Sequence, residues 1–387
     1  MITNYSRQFL DKKDFDMVLD SLKSEYLTQG KYVNNFEHNL SKYFGAKYCS
    51  AVSNGTAALF LACKSFGWKT GDIILTTPNS FVATASAIES VGAKAEFVDI
   101  DKDTYNIDVN KLEDKLKKLN KKVKGIIAVD YAGQPCDWKA INFLARKYNL
   151  KTINDNCHAM GSSYYNSKKY AVKYADIVTQ SYHPVKNLTT GEGGSVLTNN
   201  KFLIDKINKI KSHGITRERN KLIYKNNFSN WYYEVQELGY NFRISDINCA
   251  LGISQLKKLD TFIKKKNQIA DVYKKKLSDI SEITLPKILK NNGHSFHLYP
   301  IKINFKKINK SKKKLFDYFL NKKYKLQVHY IPIHLHPYFK NKYKYKIGSF
   351  PIAENYYRDT LSIPNFFDFN KANQDNFVKL LKNYVIK

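Results

Sequence analysis

The chain has 387 residues, of which 43% are hydrophobic, and sets 64 lysines and arginines against 34 acidic residues for a formal charge of +30. That length supports a sizeable core and two domains. No apolar run approaches the roughly 18 residues of a membrane span, and the start Met1-Ile2-Thr3-Asn4-Tyr5-Ser6-Arg7 has no basic-then-apolar leader pattern, so a soluble cytoplasmic protein is expected.

In chain order, residues 14 to 44 read as helical pieces broken at Thr28-Gln29-Gly30. A short turn follows, with a helix-forming run from it to about Ser65. Its opening, Ser53-Asn54-Gly55-Thr56, points free backbone N–H groups and a hydroxyl at one spot where a helix dipole favours an anion; the same residues also make an ordinary N-cap. Apolar strands are expected at Ile73 to Thr76, Ala95 to Val98, Gly125 to Val129, Lys151 to Ile153, Asp176 to Thr179 and Ser195 to Thr198, with helices at about Val82 to Val91 and Trp138 to Tyr148. Unalternated strands separated by helices predict an α/β fold around a mainly parallel sheet covered on both faces. Ligands in such sheets gather where loops leave the strand ends, here Thr77 to Phe81, Asp155 to Gly161 and Ser181 to Lys186. A lysine-rich helix from about Asp246 to Lys276 follows the loop Gly239 to Arg243. Beyond about residue 280, Leu298 to Ile303 and Leu326 to Ile331 read as strands and Ala372 to Val385 as a closing helix. The expected division is a large domain over 1–255 and a smaller one over 256–387.

The charge raises the question of nucleic acid. Only six of the basic residues are arginine (7, 146, 217, 219, 243 and 358), the planar fork that base and phosphate readers favour. Dense lysine runs occur at Lys264 to Lys266, Lys274 to Lys276 and Lys306 to Lys314 and read as solvated faces. Neither nucleic acid nor membrane is an expected partner. Cys49, Cys63, Cys136, Cys157 and Cys249 are scattered, which suits free thiols in a reducing compartment and speaks against structural zinc. His334 and His336 would share one face of a strand, but with no cysteine near them no metal is expected.

The stretch Gln180 to Gly194 places Lys186 between two buried strands, with hydroxyls around it. An unpaired lysine is costly to bury, and one use of that cost is an amine of lowered pKa ready to condense with a carbonyl. The loops together supply an anion-cradling helix start, an aromatic (Phe81), an acid (Asp155, which alone reads equally as a turn cap) and a lysine. Pyridoxal 5'-phosphate needs that set: amides and hydroxyls for its phosphate, a flat partner for its ring, a carboxylate for its ring nitrogen and an amine for its aldehyde.

The segments Ser53 to Leu59, Pro78 to Thr84, Asp155 to Gly161, Ser181 to Gly194 and Gly239 to Asp246, in this order, resemble the DegT/DnrJ/EryC/StrS nucleotide-sugar aminotransferases, a family of fold-type I pyridoxal-phosphate enzymes. The resemblance runs from about Leu27 to the carboxyl end. It implies a large domain with a seven-stranded, mainly parallel sheet between helices, plus a smaller α+β C-terminal domain. It also implies that Lys186 holds the cofactor and moves the proton, that Asp155 binds the ring nitrogen, that His158 stands near the ring hydroxyl and that Phe81 stacks on the ring. Gly55, Thr56 and Ser181 would hold the phosphate, and Asn241 would reach the phosphate of a neighbouring subunit in a homodimer. Thr28, Gly30, His183, His329 and Tyr330 fall in segments that line the sugar pocket of relatives. The form His183-Pro184-Val185-Lys186, with Val328 to His334 and Asp130 to Pro135, is similar to the branch of the family that serves pseudaminic acid. The implied reaction moves an amino group from L-glutamate to C4 of a UDP-linked 2-acetamido-2,6-dideoxy-4-keto-hexose of L-arabino form, through the pyridoxamine 5'-phosphate form of the cofactor. A perosamine- or bacillosamine-type sugar is the alternative. Sugar C3-dehydratases of the family carry histidine where Lys186 stands, and a catalytically silent regulator on the same scaffold tends to lose the acid or the lysine.

Overall fold

The computed structural model describes residues 2–224 and 229–386; Met1, with its part in the leader reading, residues 225–228 and Lys387 lie outside the described residues. The central sheet has seven strands: β1 (Tyr48–Val52), β2 (Ile73–Thr76), β3 (Lys94–Phe97), β4 (Val123–Val129), β5 (Lys151–Asp155), β6 (Ile177–Ser181) and β7 (Gly194–Thr198), in the spatial order β1-β7-β6-β5-β4-β2-β3. Only β7 runs against the rest, pairing antiparallel with both β1 and β6. Neighbouring residues of one strand enter opposite cores. Leu75, Ile126, Ala128, Val178 and Leu197 face one cluster, while Ile74, Ile127, Ile177 and Val196 face the other. Both faces are therefore buried, which is why the strands carry no polar alternation.

On the first face lie α2 (Lys31–Phe44), whose Phe36 and Leu40 are fully buried, and α5 (Trp138–Lys147), led by Trp138; α1 (Lys12–Leu22) packs along the long helix described next. On the second face lie α3 (Gly55–Ser65), α4 (Ala83–Ser90) and α6 (Lys201–Ile210). A 32-residue helix, α7 (Asp246–Leu277), contributes Cys249, Ala250, Ile253 and Leu256 to the first core. Further along, its Ile269, Ala270, Tyr273 and Leu277 join a third core. That core surrounds a three-stranded antiparallel sheet of β8 (Ile283–Thr284), β9 (Tyr299–Ile303) and β10 (Thr360–Ile363), closed by α8 (Lys371–Ile386). The expected 255/256 division falls within α7. Thr3–Asn4 also crosses to this side, pairing parallel with Tyr324–Lys325. Among the described residues no helix is long and apolar enough to cross a membrane.

Four expectations need correction. Cys49 to Val52, read as part of a turn, belongs to a strand, Tyr48–Val52, paired to β7. Leu326 to Ile331 is not a strand: after the short Tyr324–Lys325 pairing only an isolated antiparallel bridge of Gln327 to Ser362 remains. There the Tyr131 hydroxyl donates to the His329 carbonyl at 2.6 Å, and His329 and Tyr330 turn into a cavity. His334 sits on a 3-10 turn, Ile333–Leu335, with Nε2 3.0 Å from a Glu354 oxygen, while His336 starts the helix Pro337–Tyr343, so the two share no strand face. Lys266, read as solvated, is only 4% exposed. It falls in the stripe Leu259, Phe262, Lys266, Ile269, Tyr273, which is one face of a helix by its spacing of three and four.

The junction of β4 and β5 is fixed by Asp130. This fully buried carboxylate accepts from the Cys136 amide and the Trp138 indole at 2.8 Å, the Asn154 and Asn156 amides at 3.0 Å and the Tyr170 hydroxyl at 2.5 Å. Burial raises its pKa while these donors oppose the rise. Removing the acceptor strands several buried donors at once. Asp130→Ala is therefore expected to destabilise the protein by about 3 kcal/mol or more in urea denaturation; a change under about 0.5 kcal/mol, typical of surface positions, would contradict this reading.

Candidate active site

The parallel strands β4 and β5 end level at Val129 and Asp155, and β6, with Thr179 beside Asp155 in register, runs two residues further to Ser181. Asp155 is thus the last residue of β5 and Ser181 the last of β6, so both side chains sit on one edge of the sheet. A cavity of about 1070 Å³ opens there. It is lined by Gly55, Thr56, Phe81, Asp155, His158, Ser181, His183, Lys186, His329 and Tyr330, which is ten of the thirteen residues singled out from the sequence.

Asp155 is 4% exposed, and its Oδ2 accepts from the Thr84 hydroxyl at 2.8 Å, which in turn contacts the Ser80 hydroxyl at 2.8 Å. Oδ1 takes only a long bond of 3.3 Å from the Cys157 amide, which leaves capacity for a further donor. Lys186 leaves a tight turn in which its amide donates to the His183 carbonyl at 2.8 Å. Burial pushes its amine below the ordinary value, and the neighbouring Cys157 and Asp155 oppose that shift. His158 Nδ1 accepts from the Ala132 amide at 3.3 Å, so in the neutral ring Nε2 carries the hydrogen and faces the Tyr330 hydroxyl at 3.0 Å. Burial, reinforced by Lys186 and His329, holds the His158 pKa well below its ordinary range.

At the other end of the cavity α3 begins. Asn54 caps it by accepting from the Ala57 amide at 2.8 Å, which leaves the Gly55 and Thr56 amides as helix-start donors. A side chain at Gly55 would put Cβ 2.7 Å from Ser181 Cβ, so only glycine lets the helix start approach the strand end this closely. Phe242 passes the same place, its carbonyl accepting from the Ser53 amide at 2.9 Å. Phe81 is 56% exposed across the cavity mouth, its ring 6.0 Å from that of Tyr330. Three residues singled out from the sequence are not brought in. Thr28 and Asn241 are exposed, and Gly30 donates its amide to Asp246 at 2.8 Å, all outside the cavity lining of their own chain.

Thr84 and Ser80 lie in a segment that carried the resemblance, yet their hold on Asp155 needs the register of α4 against β5. Tyr5 and Gln327 also line the cavity; nothing in sequence spacing brings the first residues of the chain to this site. The burial of Lys266 was within reach of a helical wheel.

Residues 8–382 match the model of the DegT/DnrJ/EryC1/StrS aminotransferase family. The chain belongs to this family. It is 40% identical to a UDP-4-amino-4,6-dideoxy-N-acetyl-beta-L-altrosamine transaminase of Campylobacter jejuni, over 95% of this chain and 93% of that protein. It is 35% identical to the spore coat polysaccharide biosynthesis protein SpsC of Bacillus subtilis, over 98% and 96%. The solved structure of Helicobacter pylori PseC, an aminotransferase involved in the biosynthesis of pseudoaminic acid, superimposes with a TM-score of 0.91 at 32% identity over all of both chains. The protein is a pyridoxal-phosphate-dependent sugar aminotransferase. The residues present fit the cofactor: a helix start kept open at Gly55 suits its phosphate, a carboxylate with a spare acceptor site suits its ring nitrogen, and a lysine of lowered basicity suits its aldehyde.

Burial lowers the pKa of four histidines around the site: His294 and His329 to about 3, and His158 and His297 well below the usual value. Each stays neutral in the fold but takes up a proton near pH 6.5 when unfolded. Stability is therefore full above pH 6.5 and lost as pH falls below it. Between pH 7.5 and 5.5 urea denaturation is expected to show a loss of about 1 kcal/mol for each of these histidines, whereas constant stability across that window would refute their neutral burial.

Proposed function

We propose that the protein transfers the amino group of L-glutamate to C4 of UDP-2-acetamido-2,6-dideoxy-beta-L-arabino-hex-4-ulose. The products are UDP-4-amino-4,6-dideoxy-N-acetyl-beta-L-altrosamine and 2-oxoglutarate, a step in pseudaminic acid biosynthesis. The single observation that carries the chemistry is Lys186 and the Asp155 carboxylate lining one cavity at adjacent strand ends. The near full-length likeness to the Campylobacter transaminase supports the choice of sugar. Five free cysteines, four of them buried, suit a reducing cytoplasm.

When bound, the cofactor carries the amino group and drains electrons from the reacting carbon. The protein's own residues do the rest. The Lys186 amine, its basicity lowered by burial, takes the proton from the α-carbon of glutamate and later delivers one to C4 of the sugar. Asp155 is the charge partner for the ring nitrogen, and Thr84 fixes its orientation. The Nε2–H of His158, held in that tautomer by Ala132, serves as donor at the ring hydroxyl together with Tyr330. The Gly55 and Thr56 amides and the Ser181 hydroxyl grip the phosphate, and Phe81 covers the ring. His183, His329 and Tyr330 are positioned to contact the sugar. The substrates are small molecules, with no role for nucleic acid or membrane.

We further read the enzyme as a homodimer with shared sites. Asn241, Thr28 and Gly30 do not line their own chain's cavity, and Ile223, Tyr224, Trp231, Val235 and Leu238 are exposed apolar residues of the kind a second copy would cover.

The test is incubation with glutamate and a panel of 4-keto nucleotide sugars, with products identified by mass and NMR. The L-arabino UDP-sugar is expected to react fastest; preference for a perosamine or bacillosamine precursor would replace the proposed sugar but keep the reaction. Lys186→Ala should abolish turnover with the fold intact by circular dichroism. Asp155→Asn should lower turnover by about a hundredfold or more, the scale of removing a positioned catalytic charge, and normal turnover in that variant would refute its role. Light scattering should give twice the chain mass, and Asn241→Ala should weaken cofactor retention.

A further inference from the structure

Two walls of the cavity are held by one short loop, Tyr131 to Gly133, which does not itself line the cavity. The loop follows Asp130 directly and is tied down along its length. The Tyr131 amide donates to Asn106 Oδ1 at 2.9 Å, the Ala132 carbonyl accepts from the Leu298 amide at 3.2 Å, and the Gly133 carbonyl accepts from the Ser162 hydroxyl at 2.9 Å. Ala132 stands at φ +57°, a left-handed conformation uncommon for alanine. Such a conformation persists only where the surroundings enforce it, and here it accompanies an amide that reaches His158 Nδ1 at 3.3 Å. The neighbouring side chain reaches the segment that carries Tyr330. Tyr131 is fully buried, and its hydroxyl donates to the His329 carbonyl at 2.6 Å. A phenol has a single proton, so in the 2.9 Å contact between the Tyr131 and Tyr356 hydroxyls it is Tyr356 that donates.

The His329–Tyr330 segment has no ladder of its own. On one side Gln327 and Ser362 exchange amide-to-carbonyl bonds at 3.5 and 2.8 Å, and on the other the Ile333 amide donates to the Pro78 carbonyl at 2.9 Å. Between these ties His329 Nδ1 meets the Ser362 hydroxyl at 2.8 Å, and Tyr131 holds the backbone. Tyr330 then sets its hydroxyl 3.0 Å from His158 Nε2, the two rings stacked with centroids 5.9 Å apart. Both partners of that contact are therefore placed by adjacent residues of one loop, His158 through the Ala132 amide and Tyr330 through the Tyr131 hydroxyl.

We propose that Tyr131 is a positioning residue of the transamination: by holding the His329 carbonyl, its hydroxyl sets where Tyr330 meets His158 in the cavity. The inference rests on the aminotransferase reading of the cavity and adds to it a residue that touches neither cofactor nor substrate. A buried tyrosine pair is ordinarily packing, and both Tyr131 and Tyr356 belong to the core on the second face of the sheet. What separates them is where each hydroxyl ends. That of Tyr356 ends on Tyr131, whereas that of Tyr131 ends on the backbone of a cavity-lining residue. Removing the Tyr356 hydroxyl leaves the bond to His329 in place; removing the Tyr131 hydroxyl releases the carbonyl next to Tyr330.

The experiment is a double-mutant cycle on the cofactor-loaded protein, read as kcat/KM for the L-arabino UDP-sugar with glutamate as donor. Tyr131→Phe keeps the ring and removes the hydroxyl, and it is expected to lower kcat/KM by about tenfold, within the cost of a small misplacement. Tyr356→Phe takes a hydroxyl from the same buried pair and is expected to stay within about twofold of wild type, the scatter of independent sites. Tyr330→Phe removes the contact with His158. In that background the Tyr131 substitution should cost less than about threefold, because residues that act through one another do not add. A wild-type rate in Tyr131→Phe, an equal loss in Tyr356→Phe, or an undiminished loss in the Tyr330→Phe background would make Tyr131 a packing residue and overturn the proposal. Should Tyr131→Phe not fold, Tyr131→Met, a softer side chain without the hydroxyl, enters the same cycle. Failure of the wild type to take the amino group from glutamate would instead overturn the aminotransferase reading itself.

Discussion

The site depends on one electrostatic constraint: the Asp155 carboxylate that ends β5 and the Lys186 amine, in the turn beyond β6, are held in one cavity where burial disfavours charge. Parallel register supplies the placement, because β4 and β5 end level, β6 runs two residues further to Ser181, and the loops leaving them converge. Burial supplies the chemistry. It holds the surrounding histidines neutral and lowers the basicity of the Lys186 amine, with Cys157 and Asp155 opposing that shift. A more polar site would let water screen these charges and would return the lysine to its ordinary, protonated state.

Two buried aspartates 25 residues apart in sequence (155 − 130) do different work because their partners differ. Asp130 is saturated by five donors from the loop after β4, from β5 and from the chain beyond it, and it has no acceptor capacity left to offer a ligand. Asp155 holds one short bond from Thr84 and one long bond from an amide, and it faces the cavity. The first acid fixes the geometry in which the second can act. The Asp130 backbone amide, which donates to the Asp155 carbonyl at 3.2 Å, joins them directly.

The sequence made the parallel sheet legible because its strands are buried on both faces and bounded by helices, so each read as a short apolar run. Lys186, Asp155 and the helix start at Gly55 were legible because each stands at the end of such a run. Tyr48–Val52 was not, since an edge strand of small residues beside a helix start offers no pattern of its own. Leu326 to Ile331 misled for the opposite reason: its aromatic and branched residues suit a strand, yet they serve a cavity wall whose partners, Tyr131 and Ser362, are far away in sequence. Lys266 was hidden by its neighbours. Lys264 and Lys265 do point towards solvent, and only the helical phase separates the third lysine from them.

That separation also bears on the large positive charge. Lys186 is the only lysine or arginine among the cavity-lining residues, so the excess basic residues do not build the pocket. Most of the ion pairs they form are at least partly exposed and contribute little to stability. A charge spread over the outside acts at longer range. It raises the local concentration of anions around the whole molecule, and a diphosphate-linked sugar is such an anion. The composition therefore speaks to how substrate arrives, and the placement of Lys186 in the cavity to what happens when it does.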